Sequence, residues 1–357
     1  MSTRNEQQYD ALALFSGGLD SVLACKVIQK QGLRVLGLHF ITPFFGSRAD
    51  AKHWSEIYDV DIKAIDISQE YLQLLFGTPP NGFGKRLNPC MDCKVTMMRH
   101  AKALMARYGA KFIISGEVVG QRPMSQRRDA LNVISRDGEV EKVLVRPLCA
   151  QRLDPSQPEL DGHVDRDQLL GIWGRGRKEQ LRLAEEFELK EIPSPAGGCL
   201  LTEEETVKRY YRIVSLSEKA RVDDFYLAKV GRQLWNGKNW LVIGRNQIDN
   251  EHMENIKKDD DYTFYVKDFS GPLGLGRILS GGEEWSQEAI ESACVFFSSY
   301  SPKAKKAGHP IEVSVTRNGE EQIITVTPER DLEGDWQPAN LQGFKEWKVS
   351  KTPIETE

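Results

Sequence analysis

The sequence predicts an α/β chain, a mostly parallel sheet with helices on both faces, followed by a smaller α+β domain. Three observations predict it. Through the first half, short apolar runs alternate with segments of helical period, the signature of βαβ units. After Thr202 that alternation stops. Two Asn-Gly pairs, Asn236-Gly237 and Asn318-Gly319, then lie between apolar runs, a strong hairpin signal. The chain of 357 residues is long enough for two or three domains. The expected boundaries are residues 1–205, 206–335 and a tail of 336–357.

Each element follows from its local pattern. Ala11–Phe15 reads as a buried strand, followed by a loop and a helix over Ser21–Gln31. Val35–Ile41 and Asp61–Ile67 read as further strands, Met97–Tyr108 as a helix, and Lys111–Ser115 and Val143–Leu148 as the last strands. The polar, proline-containing stretch Arg152–Asp167 is expected to be an excursion loop, and Gly176–Phe187 an amphipathic helix. In the second half, Gln233–Trp235 and Trp240–Gly244 form one expected hairpin with its turn at Asn236-Gly237, and Ile311–Thr316 and Gln322–Thr327 the other. Ser286–Tyr300 reads as a helix. Beyond Trp336 little pattern remains, and a mobile tail is expected.

The net charge of −4 excludes a chain that binds nucleic acid through its overall charge. Any such site must be a local patch, and the candidates are Arg122/Arg127/Arg128, Arg175/Arg177/Lys178 and Lys303/Lys305/Lys306. No run approaches the ~18 apolar residues of a membrane span, so no membrane partner is expected. The polar start, Met1 to Asp10, lacks the order of a signal peptide, which points to the cytoplasm.

The sharpest chemical signal is Ser16-Gly17-Gly18-Leu19-Asp20-Ser21, between the first strand and the first helix. Two glycines let the backbone approach an anion, and the helix start offers N–H groups and a positive dipole end to phosphate. Ser16 and Ser21 add hydroxyls, and Asp20 suits a Mg²⁺ bridging pyrophosphate oxygens. The loop resembles the SGGxDS PP-loop of the ATP pyrophosphatase superfamily, whose fold is adenine nucleotide alpha hydrolase-like. That resemblance implies ATP as cofactor, opened between its α- and β-phosphates to adenylate an oxygen.

Six cysteines divide into two groups. Cys25, Cys149 and Cys294 lie in apolar runs and read as core residues. Cys90 and Cys93 open a helix at Asn88–Lys94, where a thiol is more easily ionised, and Cys199 follows the small-residue stretch Ser194–Gly198. Together Cys90, Cys93 and Cys199 could ligate three irons of a 4Fe–4S cluster, leaving the fourth iron to hold sulfide. Alternatively Cys199 carries a persulfide that Cys90 resolves. A closed zinc site needs a fourth ligand, for which His100 is the nearest candidate, and buried inert thiols are the remaining reading.

Ser115-Gly116-Glu117-Val118-Val119-Gly120-Gln121 with Ser125-Gln126 resembles the TGExxGQxxSQ segment of the tRNA 4-thiouridine synthetase family, with one extra residue before Ser-Gln. Arg146-Pro147-Leu148 resembles its following RPL strand end, so the ordered resemblance covers residues 10–202. It implies that Ser16, Gly17, Gly18, Asp20 and Ser21 bind ATP, that Gly116 and Gln121 lie near the nucleotide or target base, and that Cys199 stands at the catalytic cysteine. With the loop starting at Ser16, neither the THUMP-type RNA-binding domain nor the rhodanese domain of that family is expected here. The CxxC-plus-distal-Cys pattern instead resembles cluster-dependent thiolases such as the 2-thiouridine synthetases.

Val242–Glu251 contains Gly244-Arg245-Asn246 and Asp249-Asn250-Glu251, which resembles the GRNxxDNE signature of the RNA-binding domain of NFACT proteins over residues 220–330. RNA contacts are therefore expected at Arg245, Asn246 and Asn250, with Arg245 as a phosphate fork and Trp235 and Trp240 as base-stacking surfaces. The alternative is that the tryptophans are core and Arg245 pairs with Asp249. The combined expectation is an ATP-dependent tRNA sulfurtransferase with catalytic Asp20, Cys90 and Cys199. Its partners would be tRNA and a sulfur donor protein or sulfide. The other readings are an ATP pyrophosphatase or ligase acting on a small molecule, and a non-catalytic RNA-binding factor.

Overall fold

The computed structural model describes residues 8–193, 199–219, 221–330 and 334–351. The chain divides into two compact units after Thr202. The expected α/β and α+β classes are both observed.

In the first unit, β1 (Ala11–Leu14) leads into α1 (Leu19–Gln29), then β2 (Val35–Ile41), α2 (Arg48–Tyr58), β3 (Asp61–Asp66), α3 (Ser68–Phe76), α4 (Cys90–Tyr108), β4 (Phe112–Ser115), α5 (Arg128–Asp137), β5 (Leu144–Val145), α6 (Gln157–Leu160) and α7 (Lys178–Glu186). The strands form a parallel sheet in the order β3-β2-β1-β4-β5, with Ala11 in register with Val35 on one side and Phe112 on the other. The chain builds outward from β1 in one direction and then returns to the other side of β1. The carboxyl ends of β1 and β4 therefore flank a topological switch point, the crevice where such sheets bind ligands.

Alternation along β1 covers both faces. Ala11, Ala13 and Phe15 share a core with Val22, Leu23 and Val27 of α1 and Leu183 and Ala184 of α7. The edge strand β3 carries Asp61, Lys63 and Asp66 and is half-exposed, which blunts the open edge against pairing with another chain. Sequence periodicity did not mark α2, α3 and α5. In α2 only Ala51 and Tyr58 are fully buried, too short a stripe to stand out, although Ser47 caps it by accepting from Asp50 N–H at 3.1 Å. The expected excursion loop contains α6, closed by Glu159, whose carboxylate accepts from Ser156 N–H at 3.0 Å.

The second unit, Glu203–Ser350, has helices α8 (Glu204–Leu216), α9 (Val222–Leu227), α10 (Gln247–Ile256), α11 (Gln287–Ser298), α12 (Pro302–Lys306) and α13 (Phe344–Ser350). Its strands are β6 (Arg232–Asn236), β7 (Asn239–Ile243), β8 (Tyr262–Val266), β9 (Gly274–Arg277), β10 (Ile311–Arg317), β11 (Glu320–Val326) and β12 (Gln337–Pro338), in the antiparallel order β11-β10-β8-β9-β7-β6-β12. Both hairpins are present, and their turns differ. Asn318 and Gly319 both have positive φ, the turn for which Asn-Gly is suited. In the first hairpin Asn236 pairs with Asn239, so the turn residues are Gly237 and Lys238, one position beyond the expected pair. The segment beyond Trp336 is structured as β12 and α13, whose Phe344 packs edge-on to Tyr211 at 5.2 Å; the mobile tail is thus corrected over its described part.

At the switch point one contact fixes the geometry of the first unit. A Cβ on Gly116, just after β4, would lie 2.5 Å from the Asp20 carbonyl oxygen and 2.8 Å from Ser21 N. These are backbone atoms that cannot swing aside. Gly116→Ala is expected to destabilise the protein by about 1–3 kcal/mol through overpacking. Denaturant unfolding will measure this, and an unchanged midpoint would show that the strand end tolerates displacement.

Candidate active site

The loop after β1 is shaped by its own hydroxyls. Ser21 Oγ donates to the Gly18 carbonyl at 2.7 Å, and Ser16 N–H and Oγ both reach Ser21 Oγ at 3.3 Å. Gly17 has φ +75°, and a Cβ there would lie 2.2 Å from the Trp54 ring, so only glycine fits beneath that indole. Gly18 caps α1 without any side-chain bond, which leaves first-turn N–H groups for a ligand. Asp20 Oδ2 accepts from Gln121 Nε2 at 2.8 Å, while its buried Oδ1 has no hydrogen-bond partner.

This loop opens on a cavity of about 490 Å³. Ser16, Asp20, Ser21 and Gly116 line it, and so do all three cysteines singled out from the sequence, Cys90, Cys93 and Cys199. Gly17 and Gly18 shape the loop from behind, and Gln121 reaches the cavity only through Asp20. His39, Trp54 and Tyr71, which sequence reasoning missed, also line it, as do Lys94 and Arg122, which it named without placing them here, and the buried side chains Ser115, Glu117 and Gln126. The last three lie in the quoted motifs, but nothing in their spacing tells which side chains turn inward. Ser115 Oγ, Glu117 Oε1, Gln126 Oε1 and Asp20 Oδ1 are four buried oxygens without hydrogen-bond partners. Glu117 is held by its other oxygen, which accepts from Arg146 Nε at 3.1 Å in a buried ion pair. Lys94 and Arg122 add positive charge.

Each thiol arrives differently. Cys90 is the first residue of α4, and Asn88 Nδ2 donates to its Sγ at 3.1 Å. The contact fixes the Sγ at the mouth of the helix. Cys93, one turn on, is pushed up to about 12 by burial and then by the neighbouring Cys199. The buried Tyr71 hydroxyl donates to Cys93 and feels Cys199 and Cys90 as well. Cys199 is held by the next residues: Leu200 N–H donates to the Phe44 carbonyl at 3.1 Å, and Leu201 is fully buried. The small-residue stretch Ser194–Gly198 before Cys199 lies outside the described residues. Three sulfurs on one wall are the right donors for iron or zinc in kind. Among the described residues, no three His, Cys, Asp or Glu side chains are already closed about a metal position. His100 faces Glu70 at 3.8 Å and is not part of the wall. Cys25, Cys149 and Cys294 are buried thiols raised to about 12, 11 and 12 by burial, as expected of core residues.

In the second unit the expected stacking role of the tryptophans is corrected. Trp235 and Trp240 are 4% and 0% exposed and stack on each other at 5.2 Å, so no base can reach them. The β6–β7 hairpin turns both indoles inward. Arg245 is exposed but its fork is engaged: Nε donates to Asp249 Oδ2 at 2.6 Å and Nη2 to Oδ1 at 3.1 Å. Asn246 caps α10 by accepting from Asp249 N–H at 2.9 Å, and Asn250 Oδ1 accepts from Leu273 N–H at 3.1 Å.

A parallel sheet whose first crossover loop turns amides, hydroxyls and a carboxylate into a switch-point cavity is an arrangement that suits an anionic ligand. Residues 6–154 match the family model described as Thiamine biosynthesis protein (ThiI), and residues 231–335 match that of the NFACT protein RNA binding domain. Both resemblances read from the motifs are thus met, each over its own part of the chain. A "Probable tRNA sulfurtransferase" of Thermococcus kodakarensis is 28% identical over 152 residues, 40% of this chain and 37% of its own length. One of Natranaerobius thermophilus is 31% identical over 154 residues, 38% and 34% respectively. The chain thus spans about a third of the length of these curated relatives. A solved 4-thiouridine synthetase–RNA complex with bound ATP aligns with 52% of this chain and 42% of its own at 21% identity, with a TM-score of 0.37, too low to bear on chemistry. No helix among the described residues is long and apolar enough to cross a membrane.

His39 supplies a pH-dependent term. Ser47 N–H donates to Nε2 at 3.2 Å, so Nδ1 carries the proton and donates to the Phe15 carbonyl at 3.1 Å. Burial holds its pKa below the ordinary value of 6.5. The unfolded chain therefore binds the proton more readily, and stability is lost as pH falls through that value, by at most about 1.4 kcal/mol per pH unit. Denaturant midpoints between pH 7 and 5 are expected to fall less steeply in His39→Asn than in the wild type; parallel profiles would show that His39 does not carry this term.

Proposed function

We propose that the chain is an ATP-dependent sulfurtransferase that thiolates a base in tRNA. One observation carries the reading: the phosphate loop and the trio Cys90, Cys93 and Cys199 line the same cavity. The names of the curated relatives and the match of residues 231–335 to an RNA-binding family support it. In this reading residues 1–205 perform the chemistry and 206–335 hold RNA at the corner of Arg245, Asn246 and Asn250, where a phosphate would have to compete with Asp249 for the Arg245 fork. Free thiols at the centre of the chemistry fit a reducing compartment such as the cytoplasm.

The α1 amides, Ser16 and Ser21 hold the ATP phosphates, with Lys94 and Arg122 opposing their charge. The partnerless Asp20 Oδ1 suits a Mg²⁺, which would neutralise charge building on the leaving pyrophosphate. Gln121 keeps Asp20 in place. A base carbonyl oxygen attacks the α-phosphorus, the bond to the bridging oxygen breaks, and pyrophosphate leaves. The ring nitrogen gives up its proton as this happens, and Ser115, Glu117 and Gln126 offer acceptors for ring or amino N–H groups. The activated ring carbon now carries AMP as a leaving group. Hydrosulfide attacks that carbon, AMP departs with the original oxygen, and the sulfide proton restores the ring N–H. A 4Fe–4S cluster on Cys90, Cys93 and Cys199 would supply an open iron that keeps such a sulfide. In the route without a cluster, the terminal sulfur of a Cys199 persulfide attacks. Cys90 then attacks Cys199 Sγ, the thiolated base leaves, and the resulting disulfide requires reduction by an external dithiol.

Asp20→Ala is expected to abolish ATP-dependent thiolation, measured by mass spectrometry of tRNA nucleosides, with tRNA binding unchanged. Retained thiolation would remove Asp20 from the reaction. Protein purified without oxygen is expected to be brown and to lose both iron and colour in the triple Cys90/Cys93/Cys199→Ser variant. A colourless, iron-free and fully active wild type would leave only the persulfide route.

A further inference from the structure

The stretch Leu169–Lys178 contains no acid, yet it brings together Trp173, Arg175, Arg177 and Lys178. Trp173 is 68% exposed, whereas Trp235, Trp240, Trp285 and Trp336 are buried and Trp54 and Trp347 half-buried. An exposed indole of that size is unusual on a surface that needs to exclude water. None of the three cations forms an ion pair among the described residues, and Arg177 Nε is buried without a partner. The segment is fixed against the active-site wall: Gly174 N–H donates to the Val119 carbonyl at 2.9 Å, and Gly120 lies directly against it, with a Cβ position 3.6 Å from Trp173 Nε1. The next residue, Gln121, holds Asp20, and Arg122 lines the cavity.

We propose that Trp173, with Arg175, Arg177 and Lys178, forms a strand-guiding rim at the cavity, where an unpaired RNA nucleotide beside the target stacks on the indole while the cations take its phosphates. This rests on the reading of the chain as an RNA-modifying enzyme and adds an RNA contact on the catalytic unit itself. A planar ring beside unpaired cations fits a polyanion carrying flat bases. Stacking requires a base outside a duplex, as does entry of the target base into the cavity. The contact is independent of base identity, because every base has a face to stack.

The test uses the full chain, unfractionated tRNA and oligouridylate. Oligouridylate is expected to quench tryptophan fluorescence in the wild type. Trp173→Leu is expected to lose that quench and to bind oligouridylate roughly 5- to 100-fold more weakly, with Trp173→Phe within about threefold of wild type. Arg175→Gln with Lys178→Gln is expected to lower the salt dependence of the same binding. If Trp173→Leu binds and quenches like wild type while tRNA still binds, the rim is overturned and the RNA reading stands. If the wild type binds neither RNA, both fall. Unchanged RNA binding in Trp173→Leu with slowed sulfur delivery from a donor protein would assign the surface to that protein and overturn the proposal.

Discussion

Everything in the first unit depends on the approach of the β4 end to the first turn of α1. Gly116 meets the Asp20 and Ser21 backbone with no room for a methyl group. That approach orients Asp20 toward Gln121, sets Ser115 and Glu117 beside the phosphate loop, and leaves α1 with its leading amides uncapped. The parallel order explains why it happens there: β1 and β4 are neighbours whose connections leave in opposite directions, so their ends alone are not covered by a crossover.

The sulfur side is built on a different principle. Cys90 and Cys93 share a helix end, yet their surroundings pull them apart chemically. Asn88 donates to the first, and burial keeps the second protonated. The three thiols on this cavity are therefore not equivalent: one accepts a hydrogen bond from an amide, and another is buried beside Tyr71. The buried Arg146–Glu117 pair fixes one carboxylate oxygen and leaves the other buried without a partner.

Much of this was legible in the sequence, and the gaps have physical causes. The Ser16–Ser21 loop, the strand pattern around it and the Cys90/Cys93/Cys199 set carry chemistry in their residue types, so they were found without a structure. Convergence of the three thiols with the loop depends on the bond from Leu200 to Phe44, a contact that no local pattern encodes across that distance. His39 and Trp54 were missed because a buried histidine on a strand and an indole on a weakly patterned helix look structural. The tryptophans of the β6–β7 hairpin failed in the opposite sense: alternation shows that a residue faces one side of a strand, and not whether that side is wet. Arg245 read as a phosphate fork, and the acid four residues on already fills it.

The bond from Leu200 to Phe44 also has a meaning in time. As the chain leaves the ribosome, the switch-point crevice can close once β4 and β5 have emerged, while Cys199 still waits on a later segment. The wall that carries Cys90 and Cys93 can thus take shape before the segment bearing Cys199 fastens onto it at Phe44.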